Sequence, residues 1–202
     1  MHRIILIFAQ ILICILFAGG MVLQSNEAFA TSVIELSDAQ LVEMSSEIVH
    51  GTVLEVQSVQ SGNQILSRVT LEVTTWLKPV DQTSKRFDFY LRGGQLGDFR
   101  QVVSGEMTVH VGEEVVVFLE RIPKYGNLPM PLGLQQAAFY VEPNPEADRC
   151  SLDRPDKKVV QRINGLSIVS RHQQEPSSFR SAKTLDNLIH SIRARIALEV
   201  RP

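Results

Sequence analysis

The run SRVTLEVTTWL, Ser67 to Leu77, constrains the fold more tightly than any other stretch. Val69, Leu71, Val73, Thr75 and Leu77 alternate with Arg68, Thr70, Glu72, Thr74 and Trp76. Successive side chains of a strand point to opposite faces, so this period of two predicts a strand with one face in a core and one in water. On that phase Trp76 falls on the polar side, where it covers an edge or marks a contact surface. Pro79 follows Lys78 and ends the ladder, because proline has no N–H to donate.

Other segments repeat the pattern. RFDFYLR sends Phe87, Phe89 and Leu91 inward and Asp88, Tyr90 and Arg92 outward. In VHGTVLEVQSV, Val49, Gly51 and Val53 share one face while Leu54 and Val56 take the other, which predicts a bulge. MTVHVGEE places Met107, Val109 and Val111 together, and Gly112 turns the chain into EVVVFLER. There the unbroken Val115–Leu119 predicts a strand buried on both faces. In AAFYVEP, Ala137, Phe139 and Val141 are in phase, and Asn164-Gly165 between two apolar arms predicts a hairpin. Two segments have helical spacing instead. One is AQLVEMSSEIV with Leu41, Met44 and Ile48, capped by Ser37 or Asp38. The other is KTLDNLIHSIRARIALEV, whose Leu185, Leu188, Ile189, Ile192 and Ile196 form one stripe, with Thr184 or Ser181 as cap. Short strands, turns and a helix near each end predict a mainly β fold. The expected architecture is a small antiparallel OB-like barrel of five or six strands over residues 31–170. Residues 171–202 follow as a linker and an amphipathic helix.

The chain opens with MHR and the apolar Ile4–Leu23, then reaches Ala28-Phe29-Ala30. A basic head, an apolar stretch and small residues at the −3 and −1 positions predict a secretory signal over residues 1–30, cleaved after Ala30. The protein is therefore expected to be secreted or periplasmic, with no stable membrane span after cleavage. Arg3 and Glu27 leave with the leader, so the net charge stays at −2. A field this weak argues against nucleic acid as partner. Of the two cysteines, Cys14 lies in the leader and Cys150 stands alone in ADRCSLDR, so no disulfide within the mature chain is expected.

The stretch LRGGQLGD, Leu91 to Asp98, raises the question of a phosphate cradle. A cradle needs glycines between a strand and a helix start, so that helix amides face the anion. QLGDFRQVVSG has no helical period, and G-G-x-x-G is not a nucleotide signature, so the glycines are read as a bend at the barrel rim. Loops on rigid scaffolds carry recognition, which makes Arg92, Gly93, Gly94, Gly97, Asp98 and Arg100 the candidate binding residues, with Trp76 and Tyr90 as aromatic candidates. His50, His110, His172 and His190 are widely spaced, so neither a metal nor another cofactor is expected. No G-x-S-x-G occurs, and Cys150 has no histidine near it in sequence, so no catalytic residue is assigned.

The strings VHGTV, VTLEVTTWLK, LRGGQLG, VHVGEEVVVFLE and GLQQAAFYV together resemble a family of uncharacterised secreted bacterial β-domain proteins. The similarity runs from about Ile48 to Val141 and implies no particular activity. More weakly, the order of elements is similar to the netrin-like module of tissue inhibitors of metalloproteinases, an OB-type barrel. Those inhibitors act through an N-terminal cysteine, whereas the expected mature N-terminus here is Thr31, so that resemblance implies architecture only. The reading is a non-enzymatic extracytoplasmic binding module for an unknown protein, with a protease as one candidate. A saccharide- or small-ligand-binding envelope protein is the alternative, and a hydrolase the more distant one.

Overall fold

Val115 to Leu119 lie at the centre of the molecule, and the rest of the fold is arranged around them. The computed structural model describes residues 31–79, 82–143, 157–163, 166–169, 178–182 and 184–199. The first strands are β1 (Thr31–Ile34), β2 (Glu47–Ser61), β3 (Gln64–Lys78), β4 (Arg86–Arg92), β5 (Gly94–Leu96) and β6 (Phe99–Gln101). They are followed by β7 (Glu114–Ile122), β8 (Leu128–Pro131), β9 (Ala138–Pro143), β10 (Lys157–Val160) and β11 (Leu166–Val169). The helices are α1 (Asp38–Met44), α2 (Ser178–Ser181) and α3 (Leu185–Glu199). The main sheet is antiparallel in the order β10-β9-β7-β2-β3-β4, with β8 also on β7. Its second-half partner β8 and first-half partner β9 share one edge of β7, and β2 holds the other edge. Such a strand has both ladders filled and both faces covered, which is why five apolar residues in a row suit it.

The two faces of β7 feed two cores. Val116 and Phe118 point toward the helices, among Leu41, Val42, Phe179, Leu188 and Ile192. Phe118 stacks on Phe179 at 5.7 Å between ring centroids and meets Phe139 at 5.9 Å. Val115, Val117 and Leu119 point the other way, into the curl of the sheet with Val49, Val69, Leu71 and Phe89. The C-terminal stripe behaves as its period predicts: Leu185, Leu188 and Ile192 are buried, with Ile189 and Ile196 packed beside them. Thr184 Oγ1 accepts from Asn187 N–H at 3.4 Å at the helix start. At α1, Ser37 is the N-cap and forms a capping box with Gln40. That helix is shorter than its spacing suggests, because Ile48 belongs to β2 and Met44 is exposed.

Register explains where the sequence phase fails. Between β2 and β3, Ile48 pairs with Lys78 and Val49 with Trp76, so Leu77 is an extra residue; Thr74 is another, between His50–Thr75 and Gly51–Val73. Each extra residue reverses the phase. Trp76 thereby joins Val69 and Leu71 in the inner core, while Leu77 faces the helices. Its expected place on the wet face is thus corrected: the indole is 9% exposed, meets Phe87 edge-on at 5.0 Å, and donates from Nε1 to Ser84 O at 2.8 Å. The bulge expected in β2 is present, with Leu54 unpaired between Val53–Leu71 and Glu55–Thr70. At Gly51 a Cβ would collide with the Glu72 carbonyl oxygen, so only glycine lets β3 approach there.

The expected closed barrel of five or six strands is corrected to an open, curled sheet of seven. β4 lies alongside β8, but no ladder joins them. Leu132 N–H donates to Phe118 O, so by alternation the N–H groups of Leu128 and Met130 also face β7. Pro129 and Pro131 therefore stand on the edge that β4 approaches, and neither has an N–H to offer. The expected hairpin around Asn164-Gly165 is also corrected. Both of its arms are strands, but β10 pairs antiparallel with β9, and β11 pairs parallel with β1. Residues 164–165 themselves, the leader 1–30, Cys150 and His172 lie outside the described residues. Among those described, no helix is long and apolar enough to cross a membrane.

Candidate binding site

Beyond Arg92 the chain leaves β4, turns at Gly93 and folds β5 against β6 as a two-stranded hairpin. Gly93 has φ +93°, and a Cβ there would stand 2.6 Å from the Gln101 carbonyl oxygen, so both backbone angle and space demand glycine. Leu96 pairs with Phe99 across a two-residue turn, Gly97-Asp98, with φ +59° at Gly97, the position at which such turns favour glycine. No helix follows, so these glycines make curvature rather than an anion cradle. Four bonds fix the hairpin to the sheet. Gly93 N–H donates to Ile65 O at 2.9 Å, and Ser67 Oγ donates to Gly93 O at 2.9 Å. Gln95 N–H donates to Ser58 Oγ at 3.1 Å, and Ile65 N–H donates to Gln101 Oε1 at 2.9 Å.

The residues after the hairpin cross the mouth of the curled sheet. Met107 and Val109 are buried, as their phase predicts, but Val111 is 66% exposed and the segment makes no ladder, which corrects the strand expected there. Side chains from elsewhere pin it instead. Tyr140 Oη donates to Thr108 O at 2.7 Å, and Gln135 Nε2 donates to Glu106 O at 3.1 Å. Burial pushes the Tyr140 hydroxyl up to about 12, so it remains a donor through the neutral range. Arg162 lies over its ring at 4.1 Å and is held there by Glu113 at 2.6 Å and Glu142 at 3.0 Å.

Between this segment, the hairpin and the inner face of the sheet lies a cleft of about 430 Å³. Val56, Leu91, Met107 and Val109 are among its apolar lining, and Arg92, Gly93, Gly94 and Arg100 are on its walls. Glu106 is the buried charge. Its carboxylate accepts from Arg92 Nη1 at 3.0 Å, from Arg92 N–H at 3.1 Å and from Met107 N–H at 3.2 Å. Burial raises its pKa above the ordinary carboxylate value, and the Arg92 guanidinium pulls it back in part. A second groove of about 400 Å³, on the hairpin's other side, is lined by Ile65, Leu96, Phe99 and Arg100 among others. Phe99 and Val102 are 77% and 73% exposed.

Of the residues singled out by sequence, Arg92, Gly93, Gly94 and Arg100 therefore meet at one cleft. Gly97 and Asp98 form the exposed hairpin tip. Tyr90 is apart, half-buried on the outward face of β4 opposite Arg68, and Trp76 is in the core. Sequence reasoning missed Glu106, Phe99 and Val102. The signal for Phe99 was available, since a large apolar residue after Gly97-Asp98 interrupts an otherwise polar turn.

Two histidines meet carboxylates. His50 is 3% exposed, with Nε2 2.8 Å from Glu114 Oε1, and Lys157 Nζ reaches Glu114 Oε2 at 2.7 Å. His50 Nδ1 is buried without a hydrogen-bond partner. His110 is exposed, 3.4 Å from Glu113. Neither imidazole hydrogen-bonds a hydroxyl or thiol among the described residues. No described group of three or more His, Cys, Asp or Glu is placed to hold a metal ion.

Comparison with known family models, curated proteins and solved structures finds no match. What the site offers is ordered apolar surface, one buried ion pair and an exposed guanidinium, which are means of binding.

Proposed function

We propose that the chain is a non-enzymatic binding module acting outside the cytoplasm, with a protein as its partner and the β5–β6 hairpin as the surface that meets it. The observation that carries this reading is Phe99, which stands 77% exposed beside Leu96 on a hairpin tied to the sheet by its own backbone. A large aromatic side chain held out on ordered backbone is an anchor suited to a partner's pocket. Export through residues 1–30, the kinship with secreted bacterial β-domain proteins and the likeness to the netrin-like module belong to the same proposal. So does an OB-like arrangement, which the curl bringing β4 beside β8 favours. A protease is one candidate partner, with the hairpin as the blocking loop.

The test is affinity capture from the extracytoplasmic fraction of the producing cells, with a Leu96→Ser/Phe99→Ser variant in parallel. The expected result is a specific protein retained by the natural chain and lost from the variant, both having the same thermal transition. Equal retention by the two rejects the hairpin as the surface, and retention of no protein rejects the reading. The cleft of about 430 Å³ favours a second reading, an envelope protein for a saccharide or another small ligand.

A further inference from the structure

We infer that the cleft at the mouth of the curled sheet binds a small amphipathic monoanion, an alkyl carboxylate, independently of any partner on the hairpin. Its size lies within the range of small-molecule sites, which run from roughly 300 to 1,000 Å³. Its charge selects the sign of the ligand. The charged lining residues are Arg92, Glu106 and Arg100. Glu106 and Arg92 satisfy each other at 3.0 Å, which leaves one positive charge. That charge is Arg100, exposed on the cleft wall, whose side chain makes no hydrogen bond or ion pair among the described residues, not even with Asp98 two positions earlier. A guanidinium presents a planar fork that matches a carboxylate's two oxygens. A phosphate dianion would bring a second negative charge to a wall that already holds the Glu106 carboxylate.

The lining selects the rest of the ligand. Val56, Leu91, Val103, Met107 and Val109 give an aliphatic wall beside the polar Ser67, Gln95, Gln101 and Thr108, and no aromatic side chain lines the cleft for a sugar ring to stack on. An alkyl chain buries well against such a surface. Val56 supports this assignment on its own. It lies on β2 with its side chain 38% exposed toward the cleft, an apolar residue left partly bare where the sheet interior opens.

The test is titration of the purified protein with octanoate, monitored through methyl resonances. Octan-1-ol and octyltrimethylammonium serve as neutral and cationic probes of equal chain length. Saturable shifts at Val56, Leu91, Met107 and Val109 are expected. Binding should weaken about fivefold for octan-1-ol and for Arg100→Gln, the scale of an exposed ion pair. Val56→Asp, which adds a negative charge at a partly exposed position, should abolish binding while leaving the thermal transition in place. Leu96→Ser/Phe99→Ser should bind octanoate normally, so failure at the hairpin and failure at the cleft are distinguishable. Shifts absent from the cleft methyls overturn the inference, as does equal affinity for octanoate and octyltrimethylammonium, or an Arg100→Gln variant that binds as the natural chain does.

Discussion

At the residue scale, buried ionisable groups link this fold to pH. Burial lowers the pKa of His50 below its ordinary 6.5, opposed by the hydrogen bond and charge of Glu114. Its unfolded form takes up a proton more readily than its folded form. The stability it contributes is therefore whole above pH 6.5 and declines as pH falls below that value toward the folded pKa. Glu106 runs the other way. Its folded pKa is raised from 4.5, so its contribution is whole below that pH and is lost as pH rises through the raised value. The expected outcome is a thermal midpoint that falls between pH 7.5 and 5.5 in the natural chain and falls less in His50→Gln. Unfolding curves across that interval check it, and an identical slope in the variant refutes it. At Tyr140, removing the hydroxyl that holds Thr108 O should cost about 1 kcal/mol. Faster amide exchange in residues 102–109 of Tyr140→Phe, with the main sheet unchanged, is the corresponding measurement.

At the scale of the element, the hairpin depends on Gly93. Gly93→Ala forces a side chain into a left-handed angle and against Gln101 O, at a cost of roughly 1–3 kcal/mol. Hydrogen exchange should show Gly94–Gln101 opening first, and protection unchanged there would contradict the account. Elements set by local chemistry were legible in the sequence. The α3 stripe, the Ser37 cap, the inward Phe87, Phe89 and Leu91, and the doubly buried Val115–Leu119 all follow from spacing alone. What was not legible depends on partners distant in sequence. Trp76 changes face because one extra residue, Thr74, is absorbed opposite β2 before it, and no window on β3 contains β2. The arms around Asn164-Gly165 look like a hairpin, yet β9 and β1 offer them edges elsewhere. The barrel stays open because two prolines point at the seam, which requires knowing which edge of β8 faces β7. At the candidate site, sequence found the glycine bend and both arginines, but Glu106 joins Arg92 only through the fold.

At the scale of the whole molecule, one sheet separates two cores, and each core has β7 as its wall. Loss of packing on either side should be transmitted through that shared strand. Phe118→Ala, on the helix side, should cost about 3–5 kcal/mol while unfolding remains a single transition in urea with an unchanged slope. Two separated transitions would mean that the cores melt independently. Topology adds a constraint of timing. The first described strand, β1, has its ladder with β11, the last described strand, and the two run parallel. A polypeptide emerging amino end first must therefore keep Thr31–Ile34 waiting until Leu166–Val169 arrives. Until then β1 has no mate among the described strands, so this ladder is the late latch of the fold.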